Sequence, residues 1–208
     1  MSLRAVATTI AILALPGCAS MNEQECVIGD WHTIGFEDGA RGYTADRISQ
    51  HRKSCAGHGV VPDLTAYRQG RDEGLAQFCR PQNGFRLGSR GGAYDGTCPA
   101  ESHTDFMTAY NDGRRLYDLD RRVNHADSQI AARQREIDEL DGRITAHEDA
   151  IVSGDINHFE RARLLLEAKD MIDERKDLEQ EIDRLEHERI VYQRELEDYR
   201  ETVAYAPR

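Results

Sequence analysis

Through the C-terminal half of the chain, a hydrophobic residue recurs at every seventh position. Leu116, Val123, Ile130, Ile137, Ile144 and Ile151 form one series, and Leu164, Met171, Leu178, Leu185, Tyr192 and Tyr199 a second. Their half-register partners are mixed. Leu119, Ala126 and Leu140 share the first run with Arg133 and His147, while Ala168, Ile182, Leu196 and Val203 share the second with Arg175 and Arg189. Sustained heptads with charges on the remaining positions predict coiled-coil helices. Between the runs, Val152-Ser153-Gly154-Asp155-Ile156-Asn157 supplies a helix stop at Gly154 and a cap at Asp155 or Asn157. Two helices joined by so short a turn fold back on each other, giving an antiparallel two-helix coiled-coil hairpin over residues 118–204 with its turn at 152–157. Ile151, Val152, Ile156 and Phe159 cluster at that turn, either to close the hairpin on itself or to offer contacts to a partner.

The N-terminus follows a different pattern. Arg4 precedes a run from Ala5 to Leu15 that is apolar except for Thr8 and Thr9. A span of a bilayer needs about 20 apolar residues, so this run has the length of a signal-peptide core and not of a membrane helix. It ends in Leu15-Pro16-Gly17-Cys18, which resembles the lipobox of bacterial lipoproteins. The resemblance implies cleavage after residue 17 and acylation of Cys18, with palmitate among the acyl groups, and Ala19 at the next position implies sorting to the outer membrane. The expected location is the cell envelope, lipid-anchored on the outer membrane and facing the periplasm, with residues 18–25 as anchor and linker.

Between anchor and hairpin, residues 26–117 carry no heptads and most of the glycine. Fifteen of the 17 glycines precede residue 118. Phe36-Glu37-Asp38-Gly39, Tyr67-Arg68-Gln69-Gly70 and Tyr110-Asn111-Asp112-Gly113 all read aromatic-x-x-Gly, and the pairs Gly35/Gly39 and Gly70/Gly74 each lie on one helical face. Interior glycine costs a helix about 1 kcal/mol relative to alanine, so its recurrence predicts close approach over bare backbone. Caps predict helices from Asp30 to about Arg41, from Thr44 to about Cys55 and from Asp63 to about Cys79, with Thr104 opening a fourth. Arg80 to Pro99, dense in Gly and Asn, reads as an ordered loop or small hairpin.

Charge separates the two parts further. The formal charge is -11, and residues 118–204 hold 25 acidic and 14 basic side chains against 13 and 12 in residues 1–117. So acidic a chain lacks the basic surface that nucleic acid requires, and nucleic acid is excluded as a partner. Apart from Cys18 there are four cysteines, Cys26, Cys55, Cys79 and Cys98. An even number in an exported chain predicts two disulfides. Three pairings are open; Cys26 with Cys55 and Cys79 with Cys98 is the favoured one.

The run Gly29-Asp30-Trp31-His32-Thr33-Ile34-Gly35-Phe36-Glu37-Asp38-Gly39, the stretch Tyr67-x-x-Gly70-x-x-x-Gly74, and Asn83-Gly84-Phe85 through Gly96-x-Cys98-Pro99 resemble a family of proteobacterial lipoproteins known only as a domain of unknown function. The resemblance covers about residues 18–120. It implies a lipoprotein and carries neither an activity nor catalytic residues.

Three constellations carry candidate chemistry. His51, Cys55 and His58 have spacings that would gather metal ligands on a helix, although oxidation of Cys55 removes the thiolate. Asp38 with Asp72 and Glu73 offers paired carboxylates if the fold brings them together. Arg86, Arg90 and Tyr94 in the Gly-rich loop suit a glycan or a lipid head group. No Ser, His and acid arrangement and no Cys–His nucleophile pair stands out. The reading is therefore a mainly α, non-enzymatic envelope lipoprotein: a small disulfide-held Gly-rich helical module followed by the hairpin. It has no catalytic residue, metal or cofactor. Its expected partners are the membrane through its anchor, an envelope protein, peptidoglycan or a second copy of itself in a homo-oligomer.

Overall fold

The computed structural model describes residues 21–203; the signal segment and Cys18 lie outside them. Seven helices follow one another: α1 (Glu23–Ile28), α2 (Trp31–Ala40), α3 (Arg47–Ala56), α4 (Leu64–Phe78), α5 (Pro81–Ser89), α6 (Ala100–Val152) and α7 (His158–Thr202). No strand occurs among the described residues. The cap residues explain several of these starts. The side chains of Asp30 and Asp63 accept backbone N–H groups at the starts of α2 and α4, and Asn157 does so for α7.

Four local expectations are corrected. The segment Arg80 to Pro99 is not a loop throughout, because Pro81 opens α5; proline suits the first helical position, where its missing N–H is no loss. The sixth helix begins at Ala100, directly after Pro99, and Thr104 lies inside it. The third has Asp46 at its N-cap position, two residues later than Thr44, and begins at Arg47. Finally, α1 forms in part of the stretch read as linker, closed by a reciprocal cap in which Asn22 and Glu25 bind each other's backbone N–H.

The chain divides into two compact units. One comprises the described residues up to Arg80 together with Asp95–Ser102; the other comprises Pro81–Tyr94 and the chain from His103 onward. The first unit is built on α2 against α4. A Cβ at Gly35 or Gly39 would overlap the carbonyl oxygens of Tyr67 and Arg71, and one at Gly70 or Gly74 those of His32 and Phe36. The two backbones therefore touch, and each glycine is required by the other helix. Cys26 is bonded to Cys55 and Cys79 to Cys98, the pairing favoured above.

The second unit repeats the device. A Cβ at Gly84 or Gly88 of α5 would overlap the carbonyl oxygens of Phe106 and Tyr110, and one at Gly113 of α6 that of Phe85. The correspondence runs position by position: Gly35-Phe36-x-x-Gly39-x-Arg41-Gly42 in α2 and just past its end matches Gly84-Phe85-x-x-Gly88-x-Arg90-Gly91 in α5 and just past its end. Gly42 and Gly91 both take positive φ, at 77° and 73°, which glycine adopts without steric cost. A Cβ at either would also strike a ring, Phe78 in one case and Tyr117 in the other. The aromatic-x-x-Gly spelling matched unlike places in this scheme. Tyr67 corresponds to Phe106, and Gly74, not Gly70, corresponds to Gly113.

Beyond residue 117, α6 continues without a break, so the shift in composition there is not a break in the helix. Its partner α7 runs antiparallel to it, as the cross-helix ion pairs show: Arg122 with Glu195, Asp127 with Arg189, Arg133 with Glu181, Asp141 with Arg175 and His147 with Glu167. Between these pairs, Leu119, Val123 and Leu196 form one buried cluster, and Leu140, Ile144 and Met171 another. The four polar residues that interrupted the heptads, Arg133, His147, Arg175 and Arg189, each reach an acid on the opposite helix. Arg189 takes Asp127 across the pair at 3.1 Å. At 1.5 Å per residue, the 45 residues of α7 extend roughly 65 Å.

Candidate functional site

Burial of charge singles out one cluster in the first unit. Asp38 on α2 and His51 on α3 are both buried. Asp38 Oδ2 lies 2.7 Å from His51 Nε2 and accepts a hydrogen bond from the Tyr67 hydroxyl at 2.8 Å. Burial by itself would raise the Asp38 pKa. The hydrogen bonds from His51 and Tyr67, then the charges of His51 and Arg47, outweigh it and hold the carboxyl below the ordinary range. An ionised carboxylate only accepts, so His51 carries a proton on Nε2. Burial, and after it the bond and charge of Asp38, push the Tyr67 hydroxyl well above its usual pKa of 10.0. Arg47 Nε approaches Asp38 Oδ1 at 3.9 Å. A hollow of about 380 Å³ adjoins the cluster, lined by Met21, Glu25, Ile34, Glu37, Arg41 and Arg47 among others.

The second unit shows what the same framework does without those groups. Where the first pair has Asp38 and Tyr67, the second has Leu87 and Phe106, and Phe106 is wholly buried. In place of a histidine edge against the tyrosine, at 6.1 Å between ring centroids, Tyr94 packs on Phe106 at 4.8 Å. A glycine-packed pair thus closes equally well with apolar residues at these positions. The buried polar set is an addition to the framework and not a condition of it.

Of the residues singled out from sequence, Arg86 and Arg90 are brought together. Arg86 lies on α5 and Arg90 directly after its end, both exposed, on a groove of about 710 Å³ that Phe85, Leu116, Tyr117, Asp120 and Arg200 also line. Arg86 also reaches the Asn83 side chain, and Arg200 pairs with Asp120 at 3.6 Å. Tyr94 does not join them. Its ring packs among Phe106, Tyr110 and His103, and its hydroxyl meets His103 Nδ1 at 3.3 Å. Arg200, more than a hundred residues from Arg90, had no local signal that would have placed it in the groove.

The other constellations come apart. Cys55 is oxidised and His51 is bound to Asp38, and no group of three His, Cys, Asp or Glu that would hold a metal ion occurs among the described residues. Asp72 lines a separate hollow beside Arg71 and Leu75, and Glu73 binds His32 and Gln69, so neither converges with Asp38. At the turn, the four apolar residues divide. Ile151 and Ile156 are half-buried, whereas Val152 is 82% and Phe159 92% exposed.

The molecule is an all-helical, disulfide-bonded protein among its described residues, with glycine-packed helix pairs followed by two long antiparallel helices. Residues 30–115 match the model of a family described as Protein of unknown function (DUF2799), a segment that takes in both helix pairs and ends where the long helices continue alone. No curated protein and no solved structure matches the chain. No described helix is long and apolar enough to cross a membrane.

Proposed function

We propose that this chain is a non-enzymatic envelope lipoprotein, held at Cys18, whose α6–α7 pair is a coiled-coil hairpin serving as an assembly arm with its contact surface at the turn. The glycine-packed pair of α5 with the start of α6 forms its base. The observation that carries the reading is the exposure of Val152 and Phe159: they are not consumed in closing the hairpin, and two large apolar side chains left in water at one turn support a contact surface there. The seven-residue repeat and the cross-helix ion pairs support the coiled-coil description.

The test is in-cell cross-linking of the mature protein with Val152→Glu and Phe159→Glu. Loss of a cross-linked species on substitution supports the arm, and an unchanged cross-linking pattern overturns it. Anchoring is tested separately by metabolic palmitate labelling of the wild type and of Cys18→Ser, which should lose both the label and its place in the membrane fraction.

A second reading is favoured by one observation, the convergence of Arg86, Arg90 and Arg200 on an aromatic-lined groove. This suits an anionic cell-wall glycan or a lipid head group, since guanidinium pairs with carboxylate and phosphate in a fixed geometry while tyrosine offers a ring face. Co-sedimentation of the mature chain with peptidoglycan, compared with Arg86→Glu/Arg90→Glu, discriminates it from the first reading. Equal pelleting of the two overturns it for glycan.

A further inference from the structure

Met21 is buried, and its sulfur lies 4.0 Å from Cys55 Sγ in a cluster with Cys26, onto which Trp31, Ile34 and Val60 pack. Met21 is therefore fixed against the Cys26–Cys55 disulfide. Cys18 is only three residues earlier. Three residues reach at most about 11 Å, so an acyl group on Cys18 leaves no room for a linker. A bilayer that takes up that acyl group must meet the folded surface around Met21.

Beside the charged hollow that Met21 shares with Glu25, Glu37, Arg41 and Arg47, three large apolar side chains close in sequence to the cluster are exposed. Directly after Cys26 on α1, Val27 is 63% and Ile28 80% exposed; directly after Val60, Val61 is 83% exposed. Val60 is held to the same spot by its backbone N–H on the Cys55 carbonyl, and Cys26 and Cys55 have their Cα atoms 5.4 Å apart. Two segments thus leave one disulfide, and each carries its outward β-branched residues within two positions of the buried cluster. α1 is too short to be stable alone and is fixed by its cap and by Cys26, so its exposed end is not an accident of a fraying helix.

We propose that Val27, Ile28 and Val61 form a lipid-seated face, inserted into the head-group region of the bilayer that holds Cys18. The partner is the phospholipid surface itself, identified by the length of chain between Cys18 and Met21 and by the exposure of Val27, Ile28 and Val61. The proposal rests on the lipoprotein reading. It adds that the first unit lies in contact with the membrane and does not float above it. Insertion of valine and isoleucine is driven by removal of apolar area from water, so the contact survives high salt.

The test uses the mature chain from Cys18, whose other four described cysteines are oxidised, coupled through Cys18 to a maleimide lipid in phosphatidylcholine vesicles. Tethering by this route does not depend on acylation in the cell, which the palmitate label reads on its own. With the single tryptophan replaced (Trp31→Phe), new tryptophans are placed singly by Ile28→Trp and Val61→Trp, and circular dichroism checks that each variant keeps its helix content. In vesicles of brominated lipid both reporters should shift to shorter wavelength and lose at least half their emission, in low and in 1 M salt, and untethered protein should show neither change. Emission from tethered Ile28→Trp and Val61→Trp that brominated lipid does not quench overturns the proposal.

Discussion

The hydroxyl of Tyr67 donates to the buried carboxylate of Asp38 at 2.8 Å, while the corresponding pair in the second unit, Phe106 and Leu87, makes no polar contact of this kind. The two form an internal comparison of one helix packing closed in two ways. Removing Tyr67's hydroxyl by Tyr67→Phe leaves Asp38 with His51 and should cost about 1 kcal/mol. Asp38→Ala, which strands two donors in a buried place, should cost about 3 kcal/mol. The double variant Asp38→Leu/Tyr67→Phe copies the second unit and should cost less than the sum of its single changes. Urea unfolding measures all of them, and a strictly additive double variant would show that the correspondence has no energetic meaning.

The same cluster sets the response to pH. Asp38 has a folded pKa below its ordinary value of 3.8, so its contribution to stability is present above that value and is lost as pH falls through the folded one. Tyr67 is displaced the other way. Its folded pKa is above 10.0, so its contribution is complete below pH 10 and is lost as pH rises beyond it. The midpoint of thermal unfolding should therefore fall at both extremes; Tyr67→Phe should flatten the alkaline limb and, by removing one of the hydrogen bonds that lower the Asp38 pKa, shrink the acid limb in part. An alkaline limb unchanged in Tyr67→Phe would sink the assignment.

Glycines of equal helical cost should behave in opposite ways. Gly70→Ala and Gly113→Ala drive a methyl group into the carbonyls of His32 and Phe85 and should each destabilise by about 3 kcal/mol or more, because packed backbones have no void to yield. Gly142 has open space where its Cβ would lie, and Gly142→Ala should stabilise by about 1 kcal/mol through helix propensity. Differential scanning calorimetry reads the signs directly.

The ion pair of Arg133 and Glu181, at 3.1 Å and about a third exposed on each side, should be modest. A double-mutant cycle with Arg133→Ala and Glu181→Ala should give a small coupling that shrinks in 1 M salt. A coupling that ignores salt would mean that the pair acts through packing of the arginine stem.

The sequence made the long helices and their turn readable because heptad spacing, Gly154 and Asn157 each carry a local physical signal. It also placed α2 and α4 through Asp30, Asp63 and their glycines. What it concealed has a common cause. Gly84 and Gly88 read as loop residues because glycine in isolation breaks helices; only the backbone of α6 against them turns the same residues into a packing face. The Asp38–His51–Tyr67 set stayed hidden because its members come from three helices with no shared motif. Arg200 joined the Arg86 and Arg90 groove through contact between α6 and α7, which no local pattern encodes. The arginines that spoiled the heptads were informative in hindsight, since each is matched by an acid at the opposing level.

The disulfide connectivity has a consequence for how the chain matures. Cys26 bonds to the next cysteine along the described chain and Cys79 to the next after that. A polypeptide emerging N-terminus first therefore presents these four thiols in the order in which they pair, and the Cys26–Cys55 bridge can close before Cys79 emerges. With Cys18 held out of the exchange, sequential oxidation of these four reaches the native pairing without the reshuffling that crossed or nested bridges would call for.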